Sequence, residues 1–191
     1  IDKNILDSNI SGIFNWLNKN YRKSNNFYEF PGAVMKNGDI IGSGLSWCYG
    51  DLSMSLTLLN CAEINGYSNF YKEGIELALN CANRLDESNK NLDSCFCHGS
   101  AGIAYMFNRI YQITGVDEFK ETSKYWYNHL ITIRQEGIGI GGYLDRTTNE
   151  NNQQIFIPDV SLLNGAAGIG LALLAAISDE EPKWDRCLLL S

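Results

Sequence analysis

Between residues 52 and 177 the apolar positions fall into two alternating kinds of helical run. The runs 52–64, 101–113 and 166–177 are apolar around most of their circumference, the pattern of helices buried on nearly every side. Between them, 70–85 places Tyr71, Ile75, Ala78, Leu79, Ala82 and Leu85 on one face, and 118–134 places Phe119, Trp126, Leu130 and Ile133. The opposite faces hold Lys72, Glu73, Glu76, Lys120, Glu121 and Lys124, so these two segments predict amphipathic helices with one solvated side. Asn65-Gly66 and Gly115 are stop signals for the first two buried runs, while Ser68 and Asp117 are start signals for the amphipathic ones. Upstream, Ile10, Ile13, Phe14 and Leu17 follow a possible cap at Asp7 or Ser8 and predict an opening amphipathic helix. Then the period changes. Ala33-Val34-Met35 and Ile40-Ile41 flank Asn37-Gly38, a strong hairpin signal, and predict a small β-ribbon.

Each buried run follows a tight turn ending in glycine, at Gly50, Gly99 and Gly165. A helical hairpin recurring about every fifty residues is the signature of arrays that stack or close into a ring. The second interval is lengthened by residues 137–154, glycine-rich and then asparagine-rich, which read as a surface loop. Its Gly137-Ile138-Gly139-Ile140-Gly141-Gly142 stretch fits G-x-G-x-x-G but follows a helix and precedes a polar segment, so it is not a dinucleotide fingerprint. The predicted fold is therefore all-α, a single domain over 1–191 with a small β-ribbon, and about three hairpins are too few to close a ring.

Composition narrows the function. A 191-residue chain with 45 % hydrophobic residues can bury a sizeable core. Its formal charge of -7 argues against nucleic acid or an anionic membrane surface as the main partner. The apolar stretch 155–177 is broken by Pro158, Asp159, Asn164 and glycines, so no membrane span is expected. Six cysteines without a signal peptide suggest reduced thiols in a cytoplasmic protein rather than a disulfide framework. The first residue is Ile1, not Met, which leads us to expect a preceding N-terminal portion.

The candidate chemistry lies in two of the glycine turns. Trp47-Cys48-Tyr49-Gly50 and Cys97-His98-Gly99 bring two thiols and an imidazole to the starts of buried helices, so Cys48, Cys97 and His98 are candidate ligands of one zinc ion. Three protein ligands leave a position open, as catalytic zinc sites do. The residues alone leave a second reading open, since buried cysteines serve as small hydrophobes and standard closely spaced ligand pairs are absent. Cys48-Tyr49, Cys97-His98 and Leu163-Asn164 fill the same slot before successive helices, which lets the first two meet. The third slot has no ligand, so the turn also has a purely structural use. Cys95 is a rival ligand two residues before Cys97. Packing is expected for Cys61, Cys81 and Cys187, a satisfied core role for His129, and capping for Asp159 and Ser161.

Trp47-Cys48-Tyr49-Gly50, Cys97-His98-Gly99-Ser100-Ala101-Gly102, the stretch Leu162-Leu163-Asn164-Gly165-Ala166-Ala167-Gly168-Ile169-Gly170-Leu171 and the closing Trp184-Asp185-Arg186 with Leu188 to Ser191 occur in the order seen in the lanthionine synthetase C-like family. The resemblance spans the chain and corresponds to the C-terminal half of such a protein. It implies a partial α,α-toroid of paired inner and outer helices, with the β-ribbon before the first zinc ligand. It also implies Zn2+ on Cys48, Cys97 and His98. The implied activity is that of a lantibiotic thioether cyclase, in which a precursor-peptide cysteine adds to a dehydroalanine or dehydrobutyrine of the same peptide. The implied partners are the dehydrated precursor peptide, a lantibiotic dehydratase and a transporter, with the protein cytoplasmic and peripheral to a membrane-associated biosynthetic complex. The alternative is a non-catalytic zinc toroid that binds thiols such as glutathione or scaffolds partner enzymes. In the family, proton-transfer candidates are a His in an Ala-His-Gly stretch and an Asp, both before the Trp-Cys-Tyr-Gly motif, and residues 1–46 contain no Ala-His-Gly stretch. Two further departures are Gly44, where the family often has arginine, and Ser53, where it often has glycine.

Overall fold

The computed structural model describes residues 3–20, 30–42, 44–65, 68–85, 93–178 and 180–191. Its elements are α1 (Lys3–Asn20), β1 (Ala33–Val34), β2 (Ile40–Ile41), α2 (Asp51–Asn65), α3 (Ser68–Ala82), α4 (Ser100–Thr114), α5 (Asp117–Thr132), β3 (Asp145–Thr148), β4 (Gln154–Ile157) and α6 (Ala166–Ile177), closed by a 3-10 turn at Lys183–Leu188. The protein is mostly helical with small antiparallel sheets, as the periodicity predicts.

The two kinds of helix form two layers. α4 packs between α2 and α6, α3 packs against α5, and within each hairpin α2 meets α3 and α4 meets α5. α4 is central, with Ile103, Met106, Phe107 and Ile110 fully buried against Leu52, Leu56 and Leu59 of α2, Phe119, Trp126 and Leu130 of α5, and Ile169 and Ala172 of α6. Gly115 ends α4 in the left-handed region at φ +68, where its N–H reaches the Tyr111 carbonyl at 2.7 Å. α6 differs from its prediction, because Leu174 and Ile177 are exposed although the helix is apolar all round. The reason is position: α4 covers one side of it, and among the described residues nothing of comparable size covers the other.

Three local readings need correction. α1 begins at Lys3, so Asp7 and Ser8 lie inside it and neither caps it. α5 is preceded by Val116 as its N-cap, and Asp117 lies in the first turn with Glu118, where negative charge favours the helix dipole. Cys187 is exposed, and its thiol donates to the Trp184 carbonyl at 3.0 Å instead of packing. Cys81 is in the core, as expected, and Cys61 is half-buried. The stop signal at Gly66 lies outside the described residues.

The segment predicted as a loop contains a β-hairpin. Asp145 pairs with Ile157 and Thr148 with Gln154. Its turn is held by Asn149, whose Oδ1 accepts the N–H groups of Asn151 at 3.0 Å and Gln153 at 2.9 Å, while Asn152 takes φ +58. Asparagine side chains replace backbone acceptors in this way, so an asparagine-rich segment can close a hairpin. The first ribbon is as expected, with Val34 opposite Ile40 and Gly38 at φ +89.

Two glycines give opposite expected results. A Cβ on Gly102 would overlap the Phe96 carbonyl oxygen, whereas one on Gly170 would meet nothing within 4 Å. Gly102→Ala should cost about 3 kcal/mol through backbone displacement. Gly170→Ala should stabilise by up to ~1 kcal/mol through helix propensity. Denaturant unfolding of the two variants checks both signs.

Candidate metal centre

Counted back from their glycines, the turns before α2, α4 and α6 share a register. The second and third are built from the same bonds. Asp93 Oδ1 accepts the Cys95 N–H at 3.2 Å, and Asp159 Oδ1 accepts the Ser161 N–H at 2.5 Å. Cys95 Sγ then accepts the His98 N–H at 3.5 Å, as Ser161 Oγ accepts the Asn164 N–H at 3.3 Å. The Asp93 carbonyl receives the Ser100 N–H at 2.8 Å, and the Asp159 carbonyl receives the Ala166 N–H at 2.9 Å. Gly99 and Gly165 lie in extended backbone at φ -120 and -111, and a Cβ on either would overlap the carbonyl oxygen of its own aspartate. The first turn departs from this form. Gly44 stands in the aspartate's position, Gly50 has φ +94, and Ser53 stands where the other turns have Gly102 and Gly168.

Neighbouring turns are joined by one repeated bond. The Trp47 N–H reaches the Cys97 carbonyl at 2.8 Å, and the Phe96 N–H, at the equivalent position one hairpin on, reaches the Leu163 carbonyl at 3.0 Å. This repetition places slot beside slot. The Cys48 and Cys97 thiols are consequently near enough for one to act on the other, although they are 49 residues apart.

The C-terminal segment braces the same end of the helices. Trp184 packs on Phe96 at 5.6 Å and Tyr105 at 5.0 Å between ring centroids, and the Trp47 Nε1–H donates to the Leu188 carbonyl at 3.1 Å. Asp185 is wholly buried and accepts the Tyr105 hydroxyl at 2.7 Å and the Ser191 hydroxyl at 2.5 Å. Arg109 Nε lies 3.1 Å from Asp185 Oδ2 as a charge contact.

Burial first, then the neighbouring Cys48 thiol, pushes the Cys97 thiol up to about 12. Burial likewise pushes the Cys95 thiol up to about 12. Two thiols on neighbouring turns, with an imidazole on the residue after one of them, are a donor set whose chemistry fits zinc. Cys48 is exposed and Cys97 half-buried, so the pair is reachable from solvent. The structure therefore brings two of the three predicted ligands together. His98 is half-buried, and its donor atom lies within 4.8 Å of those of Asp93 and Cys95, the one group of three such donors this close among the described residues; Cys48, Cys97 and His98 do not form one. The imidazole thus belongs by sequence to one set of donors and by position to another.

Two aspartates at this end were not singled out from the sequence. Asp93 and Asp145 are 7 % and 5 % exposed, and each leaves one carboxylate oxygen, Asp93 Oδ2 and Asp145 Oδ1, buried without a hydrogen-bond partner. Burial, then Asp93 and Asp159, raise the Asp145 carboxyl, while His98 pulls it down, so these groups are close neighbours. An aspartate six residues before both Gly99 and Gly165 was a visible signal for Asp93, but nothing local marks Asp145. His129 is satisfied as expected, with Nδ1 2.8 Å from Ser100 Oγ and its ring edge-on to Trp126. It lines a cavity of about 540 Å³ with Asp93, Tyr143, Arg146, Gln154 and Phe156.

Two layers of helical hairpins with thiols and an imidazole at the starts of neighbouring buried helices define a helical-hairpin protein with a candidate metal centre at one end. The chain belongs to the lanthionine synthetase C-like family, whose model, described as lanthionine synthetase C-like protein, matches residues 1–189. Among curated proteins, none matches the chain. Family membership supports a lanthionine cyclase-type or related function.

Proposed function

We propose that this chain carries the zinc-binding part of a peptide thioether cyclase of lantibiotic biosynthesis, with Cys48, Cys97 and His98 as protein ligands and one position left for a substrate thiol. The observation that carries this reading is the Trp47 N–H bond to the Cys97 carbonyl, which sets the Cys48 and Cys97 turns side by side. Cys95 and Asp93 have counterparts in Ser161 and Asp159 of a turn without ligands, which favours a structural role for both over membership of the ligand set. When bound between two thiolates and a neutral imidazole, zinc supplies the charge that lowers the pKa of an added thiol while leaving its sulfur reactive.

The chain's own residues do the positioning. The bond from Trp47 to Cys97 holds the two turns side by side, and Cys48 and Cys97 stand just before the N-terminal ends of α2 and α4. A peptide cysteine held there adds to the β-carbon of a dehydroalanine or dehydrobutyrine. The new C–S bond leaves an enolate, which a general acid protonates at the α-carbon. Residues 1–46 hold no Ala-His-Gly stretch, so the acid is assigned to residues outside these 191. The exposed apolar residues Ile13 and Trp16 of α1 and Leu174 and Ile177 of α6 suit faces that further hairpins cover in a closed α,α-toroid. A dehydratase and a transporter complete the proposed partners, at a cytoplasmic complex on a membrane. Among the described residues no helix is long and apolar enough to cross one.

Gly44, in the place of an arginine, favours a second reading as a non-catalytic toroid that binds thiols such as glutathione. Cobalt-loaded protein separates the two. Addition of a dehydrated, cysteine-containing peptide should strengthen the thiolate-to-cobalt absorption more than equimolar glutathione does, without loss of alkylatable thiol, because the ring stays open in this chain alone. Preference for glutathione would select the second reading. No response to either thiol would remove both, and rapid ring closure would overturn the assignment of the acid outside the chain.

A further inference from the structure

The aspartate of the glycine turn has one job that is common to two turns and one oxygen that is not. In the turn before α6, Asp159 spends Oδ1 on the Ser161 N–H and is only half-buried, so water can serve its other oxygen. In the turn before α4, Asp93 spends Oδ1 on the Cys95 N–H and on the Ser94 hydroxyl at 3.5 Å, but its Oδ2 is buried with no donor. An unsatisfied buried acceptor normally costs about 1–3 kcal/mol. A second such oxygen, on Asp145, lies in the same neighbourhood and comes from a different element, the start of β3. What distinguishes the turn before α4 is His98, which stands where the turn before α6 has Asn164, and whose ring has a donor atom within 4.8 Å of the Asp93 carboxylate.

An imidazole that gives one nitrogen to a metal carries its proton on the other, and the partner of that N–H fixes tautomer and ring orientation. We infer that Asp93 is the positioning residue of the metal centre: its Oδ2 accepts the N–H of the His98 nitrogen that does not bind zinc, and Asp145 adds a second negative charge beside it. This rests on the reading of Cys48, Cys97 and His98 as the ligands. It gives the orphaned Asp93 Oδ2 a partner that becomes a stronger donor once its ring is bound to a cation.

The test is zinc affinity by chelator competition together with the His98 ring N–H resonance of zinc-loaded protein. The chain has two histidines, so a His129→Gln variant assigns the spectrum. Asp93→Asn keeps an oxygen for the Cys95 N–H and replaces the free oxygen with a donor. It should weaken zinc binding roughly 10–100-fold and remove the downfield, exchange-protected His98 N–H seen in the unsubstituted protein. Unchanged affinity in Asp93→Asn, with Cys48→Ala losing zinc, would overturn this inference and leave the ligand assignment standing. Zinc retained in Cys48→Ala but lost in Cys95→Ala and Asp93→Asn would make Asp93, Cys95 and His98 the ligand set, and the proposed function would fall with the inference. If Asp93→Asn does not fold, the unsubstituted protein still decides: a His98 N–H in fast exchange with water would overturn the assignment.

Discussion

Protein purified without added metal and carrying both Cys48→Ala and Cys97→Ala is expected to contain no zinc, where the unsubstituted chain contains one ion per molecule. The substitutions remove both sulfurs from a proposed set of three ligands, and a lone imidazole does not retain zinc through dialysis. Binding free energies of thiolate-rich zinc sites are on the order of 10 kcal/mol, so the effect should be all-or-none on the scale of an elemental assay. The fold should survive, because Cys48 is exposed, Cys97 is half-buried, and the backbone bond joining their turns involves neither side chain. Circular dichroism beside the metal assay makes the result interpretable. Full zinc content in a folded double variant would sink the assignment and direct attention to Asp93, Cys95 and His98.

The second large effect lies under the site. Asp185→Ala should destabilise the protein by about 3–5 kcal/mol, the usual cost of breaking a buried ion pair by removing one partner. Asp185 is 0 % exposed, and its loss strands the Arg109 guanidinium along with the Tyr105 and Ser191 hydroxyls. Arg109 keeps Glu181 at 3.3 Å, but Glu181 is more than half exposed and cannot replace a buried charge. Asp185→Asn should cost less, since an amide still accepts from Tyr105. The shift of the urea midpoint at constant slope measures both. Because Trp184 packs on Phe96 and Trp47 is tied to Leu188, undocking of this segment should also loosen the two cysteine turns and weaken zinc binding. A midpoint unchanged in Asp185→Ala would mean that the closing segment does not brace the turns.

The sequence by itself determined what is local. The helices α2 to α6 follow from where apolar residues recur, the first ribbon from Asn37-Gly38, and the glycine turns from their common place before each buried run. That the turns of Cys48 and Cys97 lie side by side was legible for the same reason, because equivalent slots of a repeat are neighbours. Tertiary structure decided what depends on burial and on partners far away in sequence. Cys95 and Cys97 are chemically alike and two residues apart, yet one sulfur is used inside its own turn and the other meets a thiol from the preceding hairpin. Asp93 and Asp159 occupy one motif position, and only packing makes the first buried and the second half-exposed. Asp145 reaches the neighbourhood of His98 because asparagine side chains closed a hairpin where composition indicated a loop. Asp185 reaches Tyr105 across 80 residues because the last turn folds back under α4. Periodicity records which face of an element is buried. It carries no record of which distant polar atom that burial leaves in need of a partner, and those atoms set the orientation of the site.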